Sequence, residues 1–244
     1  MKRTVLLCSA FVLLTLSASA QKQQKPWTEW SEKDATKIMT DSAWAQTQKE
    51  TTDSDVPTGP GGSGSATRNA TGREEKNAQS GESVGRNNMG LTFTYSLAFL
   101  TAKPVRQAVV RLLEIKTPEM PAAQATERRA FIDRDFGDFI VVTLKLGGTD
   151  KSKVTPAENL LKGDPKAFKD TAYLERKDGK RVALVDYRAP DQMGAKFIFP
   201  RTVEGKPFLD ETSGEVRIYV ELGKTKVNRR FKVADMMYDG KLEY

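Results

Sequence analysis

Three carboxylates crowd the stretch DRDFGD: Asp133, Asp135 and Asp138. Acid groups this close can ligate calcium through their oxygens. The spacing departs from an EF-hand loop, because Gly137 stands at the fifth position and no Glu closes the loop at the twelfth. A solvated turn, with Asp side chains bonding nearby backbone, is the reading adopted, and no metal site is expected. Glu175, Asp186 and Asp191 flank a hairpin and could supply the two carboxylates of a glycoside hydrolase. In a chain with 32 acidic residues such pairs also arise by chance. Asn228 to Lys232 reads NRRFK and, with Lys224 and Lys226, could line an anion-binding face. Strand alternation puts Arg230 and Lys232 opposite Arg229 and Phe231, which fits a solvated edge strand. The tract GPGGSG lacks the Lys-Ser/Thr of a phosphate loop and has no strand before it.

What the chain lacks narrows the chemistry further. It has no His, and its single Cys is Cys8. Lys2 and Arg3 precede an apolar run from Thr4 to Leu16, and Ala18-Ser19-Ala20 reads as a cleavage site before Gln21. This is the pattern of a secretory signal peptide over residues 1–20. The run is shorter than the roughly 20 apolar residues that span a membrane. Cys8 lies inside the run rather than at its end, which argues against a lipoprotein. Cleavage removes the only thiol. That excludes disulfides, Cys-His or Ser-His-Asp catalysis, and zinc, copper or haem held by His or Cys. The commonest general base near neutral pH is gone as well, so enzymatic activity is disfavoured and no cofactor is expected.

The formal net charge of +7 falls to +5 without Lys2 and Arg3. Residues 21–48 are neutral and residues 49–90 carry −1, which leaves +6 on residues 91–244. A basic exported domain suits an envelope protein or anionic polymer as partner: acidic polysaccharide, anionic lipid headgroups or acidic proteins. A mixed-charge surface that serves solubility explains the same balance. Nucleic acid is not an expected partner, and the chain is not expected to span a membrane after signal cleavage.

All three tryptophans lie within 20 residues: Trp27, Trp30 and Trp44. Ser31 is a good helix N-cap and Asp34 completes a capping box. Trp30 before the cap and Ala35 after it take the places of a hydrophobic staple. Ala35, Ile38, Met39 and Ser42 then form a narrow stripe. A ten-residue helix is marginal alone in water. Each indole buries on the order of 200 Å² when sheltered. The segment 21–48 therefore docks, either on its own domain or on another molecule, and Trp27, Trp30 and Trp44 are the candidate docking residues. Self-docking is the preferred reading. Residues 49–90 hold no aromatic side chain and eight glycines, a composition that predicts a disordered linker. A flexible chain of that length spans about 35 Å, so either docking mode is reachable.

From Leu91 the pattern changes. LTFTYSLAF alternates as a half-buried strand. A helix follows with Pro104 in its first turn and Val105, Ala108, Val109, Leu112 and Leu113 at helical spacing; Pro118 and Pro121 stop it. A weaker helix covers Gln124 to Asp133, and Asp138 to Leu146 is a β-branched strand. TPAENLLKG predicts a short helix capped by Thr155, with Pro156 first, Glu158 closing a capping box and Gly163 ending it. Asp178-Gly179 marks one hairpin tip and Gly223-Lys224 another. GAKFIFP is a short strand. The expected fold is α+β over residues 91–244: an antiparallel β-sandwich or curled sheet of about seven strands with two to four helices.

The segments PWTEWSEKDATKIMTDSAWAQTQ, AFLTAKPVRQAVVRLLE and RRFKVADMMYDGKLEY resemble a family of exported bacterial proteins without assigned biochemistry, sometimes found beside GWxTD-type domains. Trp27, Trp30, Ser31, Asp34 and Trp44 carry the N-terminal similarity, and Pro104, Val105 and Arg106 the central one. The GWxTD motif itself is absent from the chain. The resemblance implies a secreted or periplasmic protein and transfers no catalytic residue. The resulting expectation is a non-catalytic binding or structural role in the cell envelope. A carboxylate-dependent hydrolase of envelope or extracellular glycans is the alternative.

Overall fold

The computed structural model describes residues 25–52 and 91–244. The expected signal sequence and residues 53–90 of the expected linker lie outside the described residues. In chain order the elements are α1 (Glu32–Thr40), β1 (Ala45–Thr52), β2 (Leu91–Phe99), α2 (Lys103–Lys116), α3 (Ala122–Ala130), β3 (Phe139–Gly148), α4 (Lys151–Lys162), β4 (Ala172–Arg176), β5 (Arg181–Ala183), β6 (Asp186–Asp191), β7 (Gly194–Pro200), β8 (Thr202–Val203), β9 (Lys206–Pro207), β10 (Glu215–Leu222), β11 (Thr225–Lys232), β12 (Met237–Tyr238) and β13 (Lys241–Leu242). The fold is α+β and its strands pair antiparallel.

Period-two alternation decides which side chains meet. In the first sheet the strand order is β1-β2-β3-β7-β6 and in the second β11-β10-β4-β5. Phe93, Tyr95, Leu97 and Phe99 on β2, Ile140, Val142 and Leu144 on β3, and Phe197 and Phe199 on β7 share one face of the first sheet and are buried. The second sheet answers with Leu174, Val216, Ile218, Val220, Val227 and Phe231. Both rows belong to one apolar cluster, so the sheets face each other as a sandwich. Phe99 and Phe231 meet edge-on across it, with ring centres 5.1 Å apart. Apolar area removed from water, at about 25 cal/mol per Å², is what holds the two layers together.

The two edges of the sandwich are closed differently. Between β1 and β11 no backbone ladder forms; side chains bridge instead. Gln48 accepts from the Asn228 amide at 3.1 Å and donates to the Lys226 carbonyl at 3.3 Å. Gln46 donates to the Arg230 carbonyl at 2.7 Å, and Arg229 donates to the Thr47 carbonyl at 3.0 Å. Unpaired edge groups that would otherwise invite another strand are thereby occupied. Toward the other edge, Leu161 of α4 and Phe168 are buried with Tyr187 and Val182. The Tyr187 hydroxyl donates to the Leu161 carbonyl.

Helices α1 and α2 form a third layer on the outer face of the first sheet. Ala35 and Ala108 are fully buried where the two helices touch, which brings their backbones close. Ser31 and Asp34 make the expected capping box. The two expected hairpin tips are also found, with Gly179 and Gly223 at φ +84° and +61°. Two expectations are corrected. Lys49 to Thr52 belong to β1, not to the linker, because they pair with Leu91 to Thr94 on β2. Helix α4 starts a turn before Thr155. Asp150 is its N-cap and accepts from the Ser152 amide at 3.1 Å, so Pro156 lies inside the helix.

Candidate functional site

The three tryptophans do not form an open patch. Trp30 and Trp44 are 8% and 6% exposed, and Trp27 is half-buried. Trp30 packs with Ala35 and Ala108, joined by Trp27, Ile38 and Leu112. Its Nε1 donates to the Lys25 carbonyl at 2.9 Å, and its own carbonyl accepts from Arg111 at 2.7 Å. Trp44 enters the main core, meets Tyr238 edge-on at 6.0 Å, and donates to the Glu243 carbonyl at 2.9 Å. The indoles fasten the N-terminal helix to its own domain. With both N–H groups satisfied, burial of Trp30 and Trp44 incurs no hydrogen-bond penalty.

The expected carboxylates do not converge. Asp133 pairs with Lys103 at 3.1 Å, and Asp135 accepts from the Gly137 amide at 2.8 Å as an Asx turn does. Among the described residues no acidic group of three or more could hold a metal ion. Glu175 lies on β4 in the second sheet, while Asp186 and Asp191 lie on β6 in the first, so no shared cleft joins them. Arg181 and then Arg217 hold the Glu175 carboxyl below its ordinary pKa. Burial pushes Asp191 up, but the Lys196 ammonium and the Met193 amide outweigh it and leave the group lowered. Asp186 pairs with Arg188 at 2.9 Å. Glu175 and Asp191 are thus charged acceptors, not proton donors held neutral for acid catalysis.

The outer face of the second sheet is polar. Tyr173 and Tyr219, opposite each other on β4 and β10, stack at 4.8 Å. The Arg181 guanidinium lies 4.5 Å over the Tyr173 ring. Across the next row run Arg181, Glu175, Arg217 and Arg230. Arg230 and Lys232 take the exposed face as expected, and Arg229 turns toward β1. Each tyrosine face is occupied by a ring or a guanidinium of the same chain, so this is a self-satisfied ladder.

A more receptive surface lies on the outer face of the first sheet. Helix α2 is wider in apolar residues than its partners cover: Val105 and Ala108 are buried, whereas Val109, Leu112 and Leu113 remain half-exposed. Beneath them the β6–β7 turn presents Met193, and β3 presents Lys145. The groove enclosed has a volume of about 650 Å³. Met193 also lines an adjoining hollow of about 360 Å³ floored by Val141 and Ile198 and walled by Phe131, Phe136 and Phe139. Phe139 is 46% exposed. Concave, mainly apolar surfaces with a few polar groups are the usual form of small-ligand sites. Sequence reasoning identified the apolar stripe of α2 but not this groove. Its walls come from α1, α2, β3 and the β6–β7 turn, from Met39 to Met193, which only the tertiary packing brings together.

No protein-family model, no curated protein and no solved structure matches the chain. Among the described residues no helix is long and apolar enough to cross a membrane.

Proposed function

We propose that the chain is an exported, non-catalytic binding protein of the bacterial cell envelope, in keeping with its resemblance to exported bacterial proteins. The observation that carries this reading is the groove between α2 and the outer face of β3. It is apolar in its walls, about 650 Å³ in volume, and lined by one carboxylate, Asp191, already neutralised by Lys196. Export accounts for the signal-like N-terminus and for the absence of thiol chemistry from the remaining chain. The Trp-bearing segment serves the fold and contributes Met39 to the groove, which is the ligand-facing surface.

Two measurements test the proposal. N-terminal sequencing of the protein recovered from a bacterial host should give Gln21 and place it outside the cytoplasm. Incubation with envelope polysaccharides should release no new reducing ends. Turnover lost in Glu175→Gln or Asp191→Asn would replace the binding role with a hydrolase.

A further inference from the structure

Two ammonium groups in the α2–β3 groove have no acidic partner among the described residues. Lys116, in the last turn of α2, and Lys145, on the outer face of β3, both line it and are exposed. Neither forms an ion pair among the described residues. The lining carboxylate, Asp191, is taken by Lys196. The rest of the lining is mainly aliphatic and thioether surface from Met39, Val109, Leu112, Leu113 and Met193, with Gln192. Methionine is adaptable enough to shape itself to a flexible chain.

These features restrict the occupant. A small inorganic anion would satisfy the lysines and leave the apolar wall wet. An uncharged chain would cover the wall and leave two cations beside a dry ligand. The volume is that of a small-molecule site. We propose that the groove binds one long-chain fatty carboxylate, its hydrocarbon tail against Leu112, Leu113 and Met193 and its carboxylate between Lys116 and Lys145. The inference rests on the binding role proposed above and names its ligand class.

The test is calorimetric titration of the full chain with dodecanoate below its micelle concentration, near neutral pH. The expected result is saturable one-to-one binding. Dodecyltrimethylammonium, with the same tail and the opposite charge, should bind at least about tenfold more weakly, as the loss of two nearby charge attractions implies. Lys116→Glu with Lys145→Glu, both exposed, should leave the melting curve in place and weaken dodecanoate by at least about tenfold. Met193→Trp, which fills the groove without touching charge, should also abolish saturation. No saturable heat with dodecanoate, equal affinity for the cationic chain, or affinity unchanged in both variants would overturn the assignment. Such a failure leaves the non-catalytic role standing, because that role is decided by the turnover assay.

Discussion

The indole Nε1 of Trp44 donates to the backbone carbonyl of Glu243 at 2.9 Å, tying the N-terminal segment to the last residues of the chain. Glu243 uses its side chain as well. Its Oε2 accepts from the Lys103 amide at 2.9 Å, at the start of α2, where the N-cap Ala102 offers no side-chain acceptor. A carboxylate there also complements the positive end of the helix dipole. Trp44→Ala should cost about 3–5 kcal/mol, the usual range for emptying a large aromatic site. Glu243→Ala should cost about 1 kcal/mol, as loss of a cap does. Deleting residues 21–48 should lower the melting temperature of the remaining domain. An unchanged melting curve after that deletion would mean that the indoles contribute nothing to the fold.

Arg106 illustrates a second kind of tie. It is 7% exposed, and no carboxylate among the described residues is bonded to it. Its guanidinium instead donates to the carbonyls of Ile132, Leu100 and Thr101 and lies 5.4 Å from the Phe136 ring centre. Burial lowers its pKa, yet its planar fork of donors joins the end of β2 to the turn after α3. Arg106→Lys keeps the charge and loses the fork. It should cost about 2 kcal/mol, because a lysine at that position leaves buried carbonyls unpaired. Urea unfolding followed by circular dichroism measures it; a cost within error of zero would show that the carbonyls find other partners.

The glutamine bridge between the two sheets gives a prediction about association. Gln46 and Gln48 occupy backbone groups of β11 that no strand pairs on that side. Replacing both by Ala should cost about 1 kcal/mol, since partly exposed hydrogen bonds are worth little individually. It should also free an edge for intermolecular pairing. Light scattering across a concentration series should detect dimers or larger species in the double variant and none in the parent. A strictly monomeric double variant would show that the edge is protected by other means.

The same glutamines show why parts of the fold were legible in the sequence and parts were not. The α1 cap was readable because Ser31 and Asp34 act within one turn, and the hairpin tips because Asp178-Gly179 and Gly223 specify their own backbone. Strand β1 was not. AQTQKETT has no large apolar alternation, and its strand character comes from pairing with β2 and from side chains reaching β11. Tertiary pairing overrides a weak local preference. At α4 the local pattern Thr155-Pro156-Glu158 lost to Asp150, which is fixed where its backbone amide donates to the Thr92 carbonyl at 3.0 Å. The groove was the least legible feature. Lys116, Lys145 and Met193 become neighbours only once β3 and β7 pair, and no spacing rule encodes that.

Gly194, next to the groove, adopts φ +98°. A Cβ there would lie 2.5 Å from the Leu144 carbonyl oxygen on the neighbouring strand. Gly194→Ala therefore meets both backbone strain and a clash with main chain that cannot rotate away. It should cost about 2 kcal/mol or more. Gly179→Ala, at φ +84° with open space around its Cβ position, isolates the strain without the clash and should cost less. Equal melting temperatures for the two variants would show that the close approach to Leu144 relaxes freely.

Burial pushes the Tyr187 hydroxyl up to about 12 from an ordinary 10.0, and that hydroxyl donates to the Leu161 carbonyl inside the sandwich. In the folded chain the group keeps its proton where the unfolded chain has released it. Its contribution to stability is therefore complete below pH 10 and is lost as pH rises toward about 12. Denaturant midpoints should fall across that window. Tyr187→Phe should be less stable at pH 7, by about 1 kcal/mol for the lost hydrogen bond, and should show a shallower fall above pH 10. The slope should not vanish, because Tyr219, hydrogen-bonded to Glu221, is also raised to about 12. An identical slope in parent and variant would mean that the Tyr187 hydroxyl reaches solvent and ionises as it does in the unfolded chain.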